Sequence, residues 1–367
     1  MTAVCTGVAL ALAAGYSLLM QRYRIGWEQQ PCVEAPEAEP EAYLSVLIPA
    51  RNERAGIGAC LSSVVSGDYP AHQYEIIVID DGSDDGTAEE VMRHFPQVKV
   101  LQLSRPCGKK AAVAAGVAAA RGQYIVCTDA DCIVPPSWLR LFAAAFGQGK
   151  YRFVTGPVLF YEEKNAIEWF QTLDFMGMMG ITAAGIHQKW QNMANGANMG
   201  YSKATFEAVK GYSDNEHIAS GDDMFLVQKV AQHWPGAVFF LKSPDAIVKT
   251  RAMPDWRSFI RQRVRWGGKN AALPEWPVRL SLAWVLLTTL SIPVFILLAL
   301  AGYCSWTSAA IILAVKMLND WVFLWQMSGF FQRREAMRWF LPAQGWHIVY
   351  IISAGVASIW KRNARWK

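Results

Sequence analysis

The feature that most constrains the fold is a run of 24 residues without a charge, 280–303, interrupted only by Pro293. A helix of about 20 apolar residues crosses the hydrocarbon core of a bilayer, so this run predicts a membrane-spanning helix. A second uncharged run, residues 3–20, precedes Arg22 and Arg24. Because positive residues favour the cytoplasmic side, the N-terminus is expected outside and the following chain in the cytoplasm.

Two further apolar stretches follow towards the C-terminus. Residues 306–331 contain Lys316 and Asp320, which lie one helical turn apart and can neutralise each other. The sequence leaves open whether this ion pair has a structural or a functional role. Residues 339–360 carry Pro342 and several polar side chains, and the sequence leaves open whether they span the membrane, lie in its interface or re-enter. The whole pattern predicts a multi-pass protein of the cell's inner membrane.

The composition agrees with lipid-buried segments, since only 18% of the residues are charged against about 25% in soluble domains. The net charge is +5, and basic residues concentrate in 251–269. Phosphate, nucleic acid and an anionic membrane surface are the partners that such a cluster suggests. The seven cysteines form no CxxC pair, which favours a reduced, cytoplasm-facing protein over a disulfide scaffold.

Between the apolar runs, short apolar segments alternate with helix-like segments after a Pro/Glu/Ala linker at 31–42. The predicted strands of the first half are 45–49, 75–80, 98–103 and 124–127, and the predicted helices are 57–65, a stretch ending at 95, and 109–121. This alternation predicts an α/β fold with a mostly parallel sheet covered on both faces. For the second half we expect strands at 153–161, 237–241 and 246–249, helices at 166–186 and 222–233, and a loop at 195–201.

Asp129 and Asp131 follow the fourth predicted strand directly. Residues two apart in an extended or turning chain project to the same side, so both carboxylates can face one ligand. Two close negative charges are costly without a cation, and a hard divalent ion with oxygen ligands meets that need. The alternative is that Asp-x-Asp closes a turn and caps the next helix, and for the pair alone that alternative is favoured.

Other polar segments are expected at the same edge of the sheet. Ligands bind beyond the carboxyl ends of the strands in an open parallel sheet. The segments are Pro49-Ala50-Arg51-Asn52-Glu53 after the first strand, Asp80-Asp81-Gly82-Ser83 after the second, and Gly108-Lys109-Lys110 before the helix that follows the third. Their joint placement is hard to attribute to turn chemistry and suits a nucleotide. No GxGxxG follows the first strand and no GxxxxGK[ST] occurs, which disfavours a Rossmann dehydrogenase and a P-loop NTPase.

Two further motifs follow these segments along the chain: Gly221-Asp222-Asp223 and Gln262-Arg263-Val264-Arg265-Trp266. In the identity and order of these motifs, residues 45–269 resemble the inverting family 2 glycosyltransferases with the GT-A fold. Membrane-bound relatives in that family include bacterial synthases of cellulose, hyaluronan and poly-N-acetylglucosamine. The resemblance implies a GT-A catalytic domain joined to α-helical transmembrane segments, with Mg²⁺ or Mn²⁺ as cofactor.

The resemblance also implies roles for individual residues. The nucleotide-sugar donor would be bound by Pro49, Arg51, Asn52, Glu53, Asp80, Asp81, Lys109, Asp129, Gln262, Arg263 and Arg265. Asp131 and Asp129 would hold the metal ion against the diphosphate. Asp223, beside Asp222, would be the general base that takes the acceptor proton, and Trp266 would line the acceptor site. An N-cap at Asp222 and Asp223 is the structural alternative. For 251–269, a basic amphipathic helix on lipid headgroups is compatible with a role at the active site.

The implied activity is transfer of a sugar from a nucleotide-diphosphate donor, UDP-linked by expectation, to a glycan or lipid-linked acceptor at the cytoplasmic membrane face, with membrane lipids and no nucleic acid as partners. A processive polysaccharide synthase and a polyprenyl-phosphate sugar synthase are the alternatives within enzymes. A non-catalytic membrane subunit that senses nucleotide sugars is the alternative of another class. The family usually has Glu where Asp222 stands, so the reach of that carboxylate differs here.

The expected domains follow from these assignments. They are an N-terminal transmembrane helix at 1–24, a linker at 25–43, the GT-A domain at 44–250, a basic interfacial segment at 251–278, and a C-terminal transmembrane region of two to three helices at 279–367.

Overall fold

A computed structural model describes residues 2–37, 42–213, 221–267 and 275–360, so Lys269 and the basic tail 361–367 lie outside the described residues. Contacts divide the chain into two units. The sheet unit comprises, as far as it is described, 30–162 and 185–251. The helical unit comprises the described parts of 1–29, 163–184 and 252–363. Residues 163–184 thus belong to the helical unit. The sequence pattern instead predicts one continuous catalytic domain at 44–250, which includes these residues.

The strands are β1 (Leu44–Ala50), β2 (Tyr74–Asp80), β3 (Lys99–Gln102), β4 (Tyr124–Cys127), β5 (Phe153–Thr155), β6 (Val158–Phe160), β7 (Met199–Ser202), β8 (Val238–Phe240) and β9 (Val248–Thr250). The α-helices are α1 (Thr2–Gln29), α2 (Ile57–Val65), α3 (Thr87–His94), α4 (Lys109–Ala119), α5 (Trp138–Gly147), α6 (Ala166–His187), α7 (Lys203–Ala208), α8 (Asp222–His233), α9 (Trp256–Gly267), α10 (Trp276–Leu300), α11 (Trp306–Phe330) and α12 (Phe340–Trp360).

The main sheet has the order β3-β2-β1-β4-β7-β5-β8. β3, β2, β1 and β4 run parallel, β7 is antiparallel to both of its neighbours, and β5 pairs with β8 in parallel. All seven residues of β1 are buried, and α4 packs on β1 and β2. A strand flanked on both sides and covered on its faces favours apolar residues, and the one polar residue of β1, Ser45, donates its hydroxyl to Glu75 Oε1 over 2.7 Å. The predicted mostly parallel α/β sheet is confirmed.

Two predictions for the second half are wrong. The single strand expected at 153–161 is two strands, β5 and β6, which turn at Gly156 and Pro157 and belong to different sheets, since β6 pairs with β9. The loop expected at 195–201 ends in β7, which is inserted between β4 and β5. Both segments are too short and too rich in glycine for local pattern to decide, so tertiary pairing determines their structure.

The predicted linker at 25–43 is also partly ordered. α1 continues to Gln29, beyond the expected end at 24. Within the sheet unit, the Gln30 side chain is buried and donates from Nε2 to the Phe240 carbonyl over 2.7 Å. The Val33 N–H donates to the Lys242 carbonyl over 2.9 Å. Residues 25–29 of the predicted linker therefore belong to α1, and Gln30 and Val33 belong to the sheet unit.

In the helical unit, three described helices are long and apolar enough to cross a membrane: α1, α10 and α11. They share an apolar cluster in which Ala9 and Ala13 of α1 pack with Ile292 and Phe295 of α10 and Ile312 of α11. The small alanines let the helix backbones approach closely, as is common between membrane-spanning helices.

A buried polar network joins α1, α11 and α12 in the helical unit. Lys316 Nζ donates to Asp320 Oδ2 over 2.5 Å and to Gln344 Oε1 over 3.0 Å. The Tyr16 hydroxyl donates to Asp320 Oδ1 over 2.6 Å. Both oxygens of Asp320 are thus used, and the Lys316 side chain is 1% exposed. The predicted neutralisation of Lys316 by Asp320 is confirmed.

Removing one partner of this pair leaves the other charge buried without its counter-ion, which typically costs about 3–5 kcal/mol. We expect Lys316→Met and Asp320→Leu each to lower the unfolding temperature of the full chain in detergent. The double variant should be more stable than the sum of the single effects predicts. The control is Lys150→Met, because Lys150 is exposed. Strictly additive effects would contradict the pairing.

Candidate active site

The predicted site segments of the sheet unit leave the main sheet at one edge. β1, β2 and β4 are parallel neighbours, and Ala50 at the end of β1 is in register with Asp80 at the end of β2. Cys127 at the end of β4 is in register with Leu47 of β1. The segments that follow these strands therefore begin side by side at the carboxyl edge, where open α/β sheets bind ligands.

The loop after β1 is fastened to the loop after β2. The Asn52 N–H donates to Ser83 Oγ over 3.0 Å, and the Asp84 N–H donates back to Asn52 Oδ1 over 3.0 Å. The Glu53 N–H donates to Thr87 Oγ1 over 3.0 Å. Asn52 takes a positive φ of 57°, a conformation that asparagine tolerates better than most residues. Among the predicted donor-binding residues, the structure thus links Asn52 to Asp80 through Ser83 and links Glu53 to Thr87 at the start of α3. Arg51 follows β1 directly, and Pro49 is buried within β1.

The two aspartates at the end of β2 differ in their surroundings. Asp80 Oδ1 accepts from the N–H of Ser83 over 3.1 Å and from its hydroxyl. Asp81 is fully buried, and its two oxygens accept from the N–H groups of Cys107, at 2.6 Å, and Gly108, at 2.9 Å. Asp81 therefore fixes the turn that starts α4, in which Gly108 has a φ of 91°. Its assignment to the donor remains a prediction, although its carboxylate is engaged by the chain itself.

Lys109, the first residue of α4, joins two elements of the site. Its Nζ lies 2.5 Å from Asp129 Oδ1, after β4, and 3.4 Å from Asp222 Oδ2, at the start of α8. The Lys109 side chain is 16% exposed. Burial lowers the pKa of this ammonium, but the carboxylates of Asp129 and Asp222 outweigh it and hold the pKa well above its usual range. Lys109 is thus a permanent cation within an acidic cluster.

Asp129, Asp131 and Cys132 can each point one ligand atom at a common centre, because those atoms all lie within 4.8 Å of one another. Cys132 Sγ donates to Asp131 Oδ1 over 3.6 Å. Burial raises the pKa of Asp129, Lys109 opposes that rise, and the negative charge of Asp131 adds to it. Two carboxylates whose negative charges repel each other form a site that a divalent cation stabilises, and their oxygens suit Mg²⁺ or Mn²⁺. The residues present therefore fit such an ion.

Two cysteines lie behind this pair. Cys60 Sγ donates to the Asp129 carbonyl over 3.4 Å, and both Cys60 and Cys132 are buried. Burial, followed by the charges of Asp131 and Asp129, raises the pKa of each thiol. Both cysteines are therefore neutral thiols, and they are inert unless a metal displaces the proton.

The carboxylates of α8 stand at its first turn, as the sequence predicts. Gly221 precedes the helix with a φ of 90°, and Asp222 is 5% exposed. Asp223 Oδ2 accepts from the Gly196 N–H over 3.2 Å, and its Oδ1 accepts from the Met224 N–H over 2.7 Å. The structure thus brings together the side chains of Lys109, Asp129 and Asp222, with Asp223 beside Asp222.

The remaining predicted residues, Gln262, Arg263, Arg265 and Trp266, lie on α9 in the helical unit. There Arg263 NH2 lies 2.8 Å from Asp174 Oδ2, and the Arg263 side chain is 1% exposed. Its guanidinium also lies over the Trp266 ring, 4.3 Å from the centroid. Burial raises the pKa of Asp174 despite this partner. Arg263 therefore fastens α9 to α6, and the roles of these four residues at donor and acceptor stay predictions.

The sequence did not predict the contacts of two residues, Asp174 with Arg263 and Gly196 with Asp223. Asp174 carried no signal, because a single acidic residue in a Met-rich helix has no motif around it. Gly196 was noted only as part of a glycine-containing loop, although its N–H holds Asp223.

Together, a mostly parallel sheet with an inserted antiparallel strand and acidic residues at its carboxyl edge define the GT-A fold. The solved structure of the mannosyltransferase PcManGT from Pyrobaculum calidifontis, in complex with GDP-Man and Mn²⁺, is similar in fold, with a TM-score of 0.60. The similarity covers 98% of this chain and 100% of that one at 19% identity.

Residues 45–209 match the model of Glycosyl transferase family 2. A poly-beta-1,6-N-acetyl-D-glucosamine synthase from Staphylococcus epidermidis is 27% identical over 250 residues, which cover 64% of this chain and 57% of the relative. A dolichyl-phosphate beta-glucosyltransferase from Trichomonas vaginalis is 29% identical over 204 residues, which cover 51% of this chain and 58% of that relative. The chain spans less than two thirds of the length of either relative.

The turn that Asp81 holds gives a prediction about stability. Asp81→Asn places an NH₂ group against one of the two N–H donors, which leaves a buried donor without an acceptor at a cost of about 1–3 kcal/mol. We expect a lower unfolding temperature than for the conservative control Asp245→Asn, whose side chain is exposed. An unchanged unfolding temperature together with weaker donor binding would show that Asp81 acts on the donor instead.

Proposed function

We propose that the protein is an inverting glycosyltransferase that moves a sugar from a nucleotide-diphosphate donor to a glycan or lipid-linked acceptor. The observation that carries the proposal is the convergence, at one edge of one sheet, of an Asp-x-Asp pair, the Lys109 ammonium and the carboxylates of α8. The family 2 domain and the GT-A fold support it.

The donor is assigned to the loops after β1 and β2. Asp80, with one oxygen already turned towards Ser83, is assigned to accept from a nucleoside, and the Asn52 N–H donates to the same Ser83. Glu53, whose N–H donates to Thr87, is assigned to the donor with them. Asp129 and Asp131 would hold Mg²⁺ or Mn²⁺. Such an ion, when bound, supplies positive charge where the leaving diphosphate becomes negative. UDP is the nucleotide we propose first, and the donor panel described below decides between UDP and GDP sugars.

We assign the acceptor to the part of the site next to the Asp223 carboxylate. The acceptor oxygen attacks the anomeric carbon, the bond from that carbon to the diphosphate oxygen breaks, and the nucleoside diphosphate leaves with the bonding electrons. The acceptor proton passes to the Asp223 carboxylate. Because attack and departure occur on opposite faces, the anomeric configuration inverts. Two backbone N–H groups orient the Asp223 carboxylate for this transfer.

Asp222 would act through Lys109 and not on the acceptor. Its Oδ2 faces the Lys109 ammonium at 3.4 Å, and that ammonium also holds Asp129. The pair therefore keeps the base end and the donor end of the site at a fixed separation. A shorter side chain than the family's usual Glu fits this task, because the ammonium lies close to the start of α8.

We place the sheet unit in the cytoplasm, with α1, α10 and α11 crossing the inner membrane. Their length and apolar character support this topology, as do Arg22 and Arg24, which follow the uncharged part of α1. An acceptor at the membrane surface follows from this placement. The polymer and dolichyl-phosphate substrates in the names of the two relatives make a growing glycan and a polyprenyl phosphate the acceptors to test first.

The experiment is a donor panel with the full chain in detergent. UDP- and GDP-sugars are each supplied with Mn²⁺ or Mg²⁺ and either native lipid extract or a polyprenyl phosphate. Nucleoside diphosphate release is followed, and products are identified by mass. Release that depends on both donor and acceptor supports an enzyme. Donor binding without release under every condition would support a nucleotide-sugar sensor and contradict the proposal.

Asp223→Asn keeps the shape of the side chain but removes its ability to take a proton. We expect turnover to fall about 10²–10⁴-fold, since positioned bases contribute about this much. Donor binding, measured by calorimetry, should change less than about twofold because Asp223 does not hold the donor. Asp245→Asn is the matched control on the same unit. Retained turnover in Asp223→Asn would refute the base assignment.

Asp131→Ala removes one of the two proposed metal carboxylates. We expect Mn²⁺ to lose its effect on nucleoside diphosphate affinity, because Asp129 alone offers one carboxylate that Lys109 already occupies. The measurement is calorimetric titration of the nucleoside diphosphate with and without Mn²⁺. Glu207→Ala, an exposed acidic site on α7, should behave as the unmutated protein. An unchanged metal effect in Asp131→Ala would count against the metal role.

A further inference from the structure

The segment 195–198 touches the start of α8. The Gly196 N–H donates to Asp223 Oδ2 over 3.2 Å, while the Met224 N–H holds the other oxygen at 2.7 Å. One of these donors belongs to α8 itself, but the other comes from a segment 27 residues earlier in the chain. The direction of the Asp223 carboxylate therefore depends on where this segment lies.

Gly196 also lies against the ion pair of Lys109 and Asp222. A Cβ atom at this position would lie 3.0 Å from Lys109 Nζ and 3.1 Å from Asp222 Oδ2. Both distances are shorter than an ordinary contact, so any side chain would have to push the ammonium, the carboxylate or the segment itself aside. The missing side chain allows the backbone N–H to reach Asp223.

Hydrogen bonds on both sides of Gly196 fix the segment. Asn195 Oδ1 accepts from the Ala197 N–H over 3.0 Å, and the Asn195 carbonyl accepts from the Asn198 N–H over 3.0 Å. Asn198 is fully buried. Its Oδ1 accepts from Trp138 Nε1 over 2.9 Å, and its Nδ2 donates to the carbonyls of Pro157 and Ala246, each over 2.8 Å. The segment is thus a rigid turn anchored on α5 and on the corner between β5 and β6.

We infer that the turn 195–198 positions the general base: it presents the Gly196 N–H to Asp223 and requires glycine so that the Lys109–Asp222 pair can lie beneath it. The inference rests on the proposed function, because it assigns no chemistry to Gly196 beyond orienting Asp223. Asn195 and Asn198 then act as positioning residues through the backbone, without touching a substrate.

The test is Gly196→Ala in the full chain in detergent, with the donor and acceptor that support turnover. We expect kcat to fall about tenfold, because the methyl group must shift its neighbours by a few tenths of an ångström and a displacement of about 1 Å at a reacting group can cost about 10²-fold. The KM for the donor should change less than kcat, because Lys109, which the new methyl group would touch, is only one of the residues assigned to the donor. Gly147→Ala is the matched control, because a Cβ there meets nothing within 4 Å.

A second pair of variants decides the question if Gly196→Ala does not fold. Asn195→Ala removes the acceptor for the Ala197 N–H without adding bulk, whereas Asn195→Ser keeps an oxygen in reach. We expect kcat to fall at least about threefold in Asn195→Ala and to recover in Asn195→Ser, at constant donor KM and unfolding temperature.

A kcat equal to that of the unmutated protein in both Gly196→Ala and Asn195→Ala would overturn the inference. Equal losses in kcat and donor affinity would do the same, because they would indicate general distortion of the site. Asp223→Asn distinguishes failure of the base assignment from failure of the positioning role of the turn 195–198. If that variant retains turnover, the base assignment fails; if it is inactive while Gly196→Ala is fully active, only the positioning role fails.

Discussion

The shared ammonium of Lys109 is the interaction on which the arrangement of the site depends. Asp129, Asp131, Asp222 and Asp223 bring four carboxylates to one edge of the sheet, and their mutual repulsion opposes close approach. Lys109 Nζ lies within reach of one carboxylate from the β4 end and one from the α8 end. Because the group is largely buried, its attraction for both is screened less by water than that of a surface lysine. Without this cation the donor and base ends would separate.

The scaffold explains how the Lys109 side chain is held between Asp129 and Asp222. Parallel pairing of β1, β2 and β4 starts the loops after these three strands at the same edge, and hydrogen bonds between Asn52, Ser83 and Asp84 secure the loop after β1 to the loop after β2. Asp81 fixes the turn from which Lys109 projects, and Asn198 fixes the turn that carries Gly196. These side chains are buried and engaged with the chain, so they position the side chains that face the ligand.

The sequence pattern predicted the half of the fold in which short, mainly apolar strands alternate with helices, because strands buried on both faces favour apolar side chains. The acidic ends of β2 and β4 were visible for the same reason: a polar residue directly after such a run must lie at the sheet edge. The insertion of β7 was not predictable, since Met199–Ser202 owes its strand conformation to two antiparallel neighbours. The pairing of Arg263 with Asp174 and the use of Asp81 within the chain depend on tertiary contacts that no local motif reports.

The central claim is that the Asp-x-Asp pair and the α8 carboxylates face a single ligand. Anomalous diffraction from Mn²⁺ in crystals of the full chain grown with nucleoside diphosphate tests it most directly. We expect one manganese peak bonded to Asp131 or Asp129 and to the diphosphate, in the cleft that Asp223 also faces. A manganese–diphosphate pair bound away from both aspartates, or bound with Asp223 on the opposite face of the sheet unit, would contradict it.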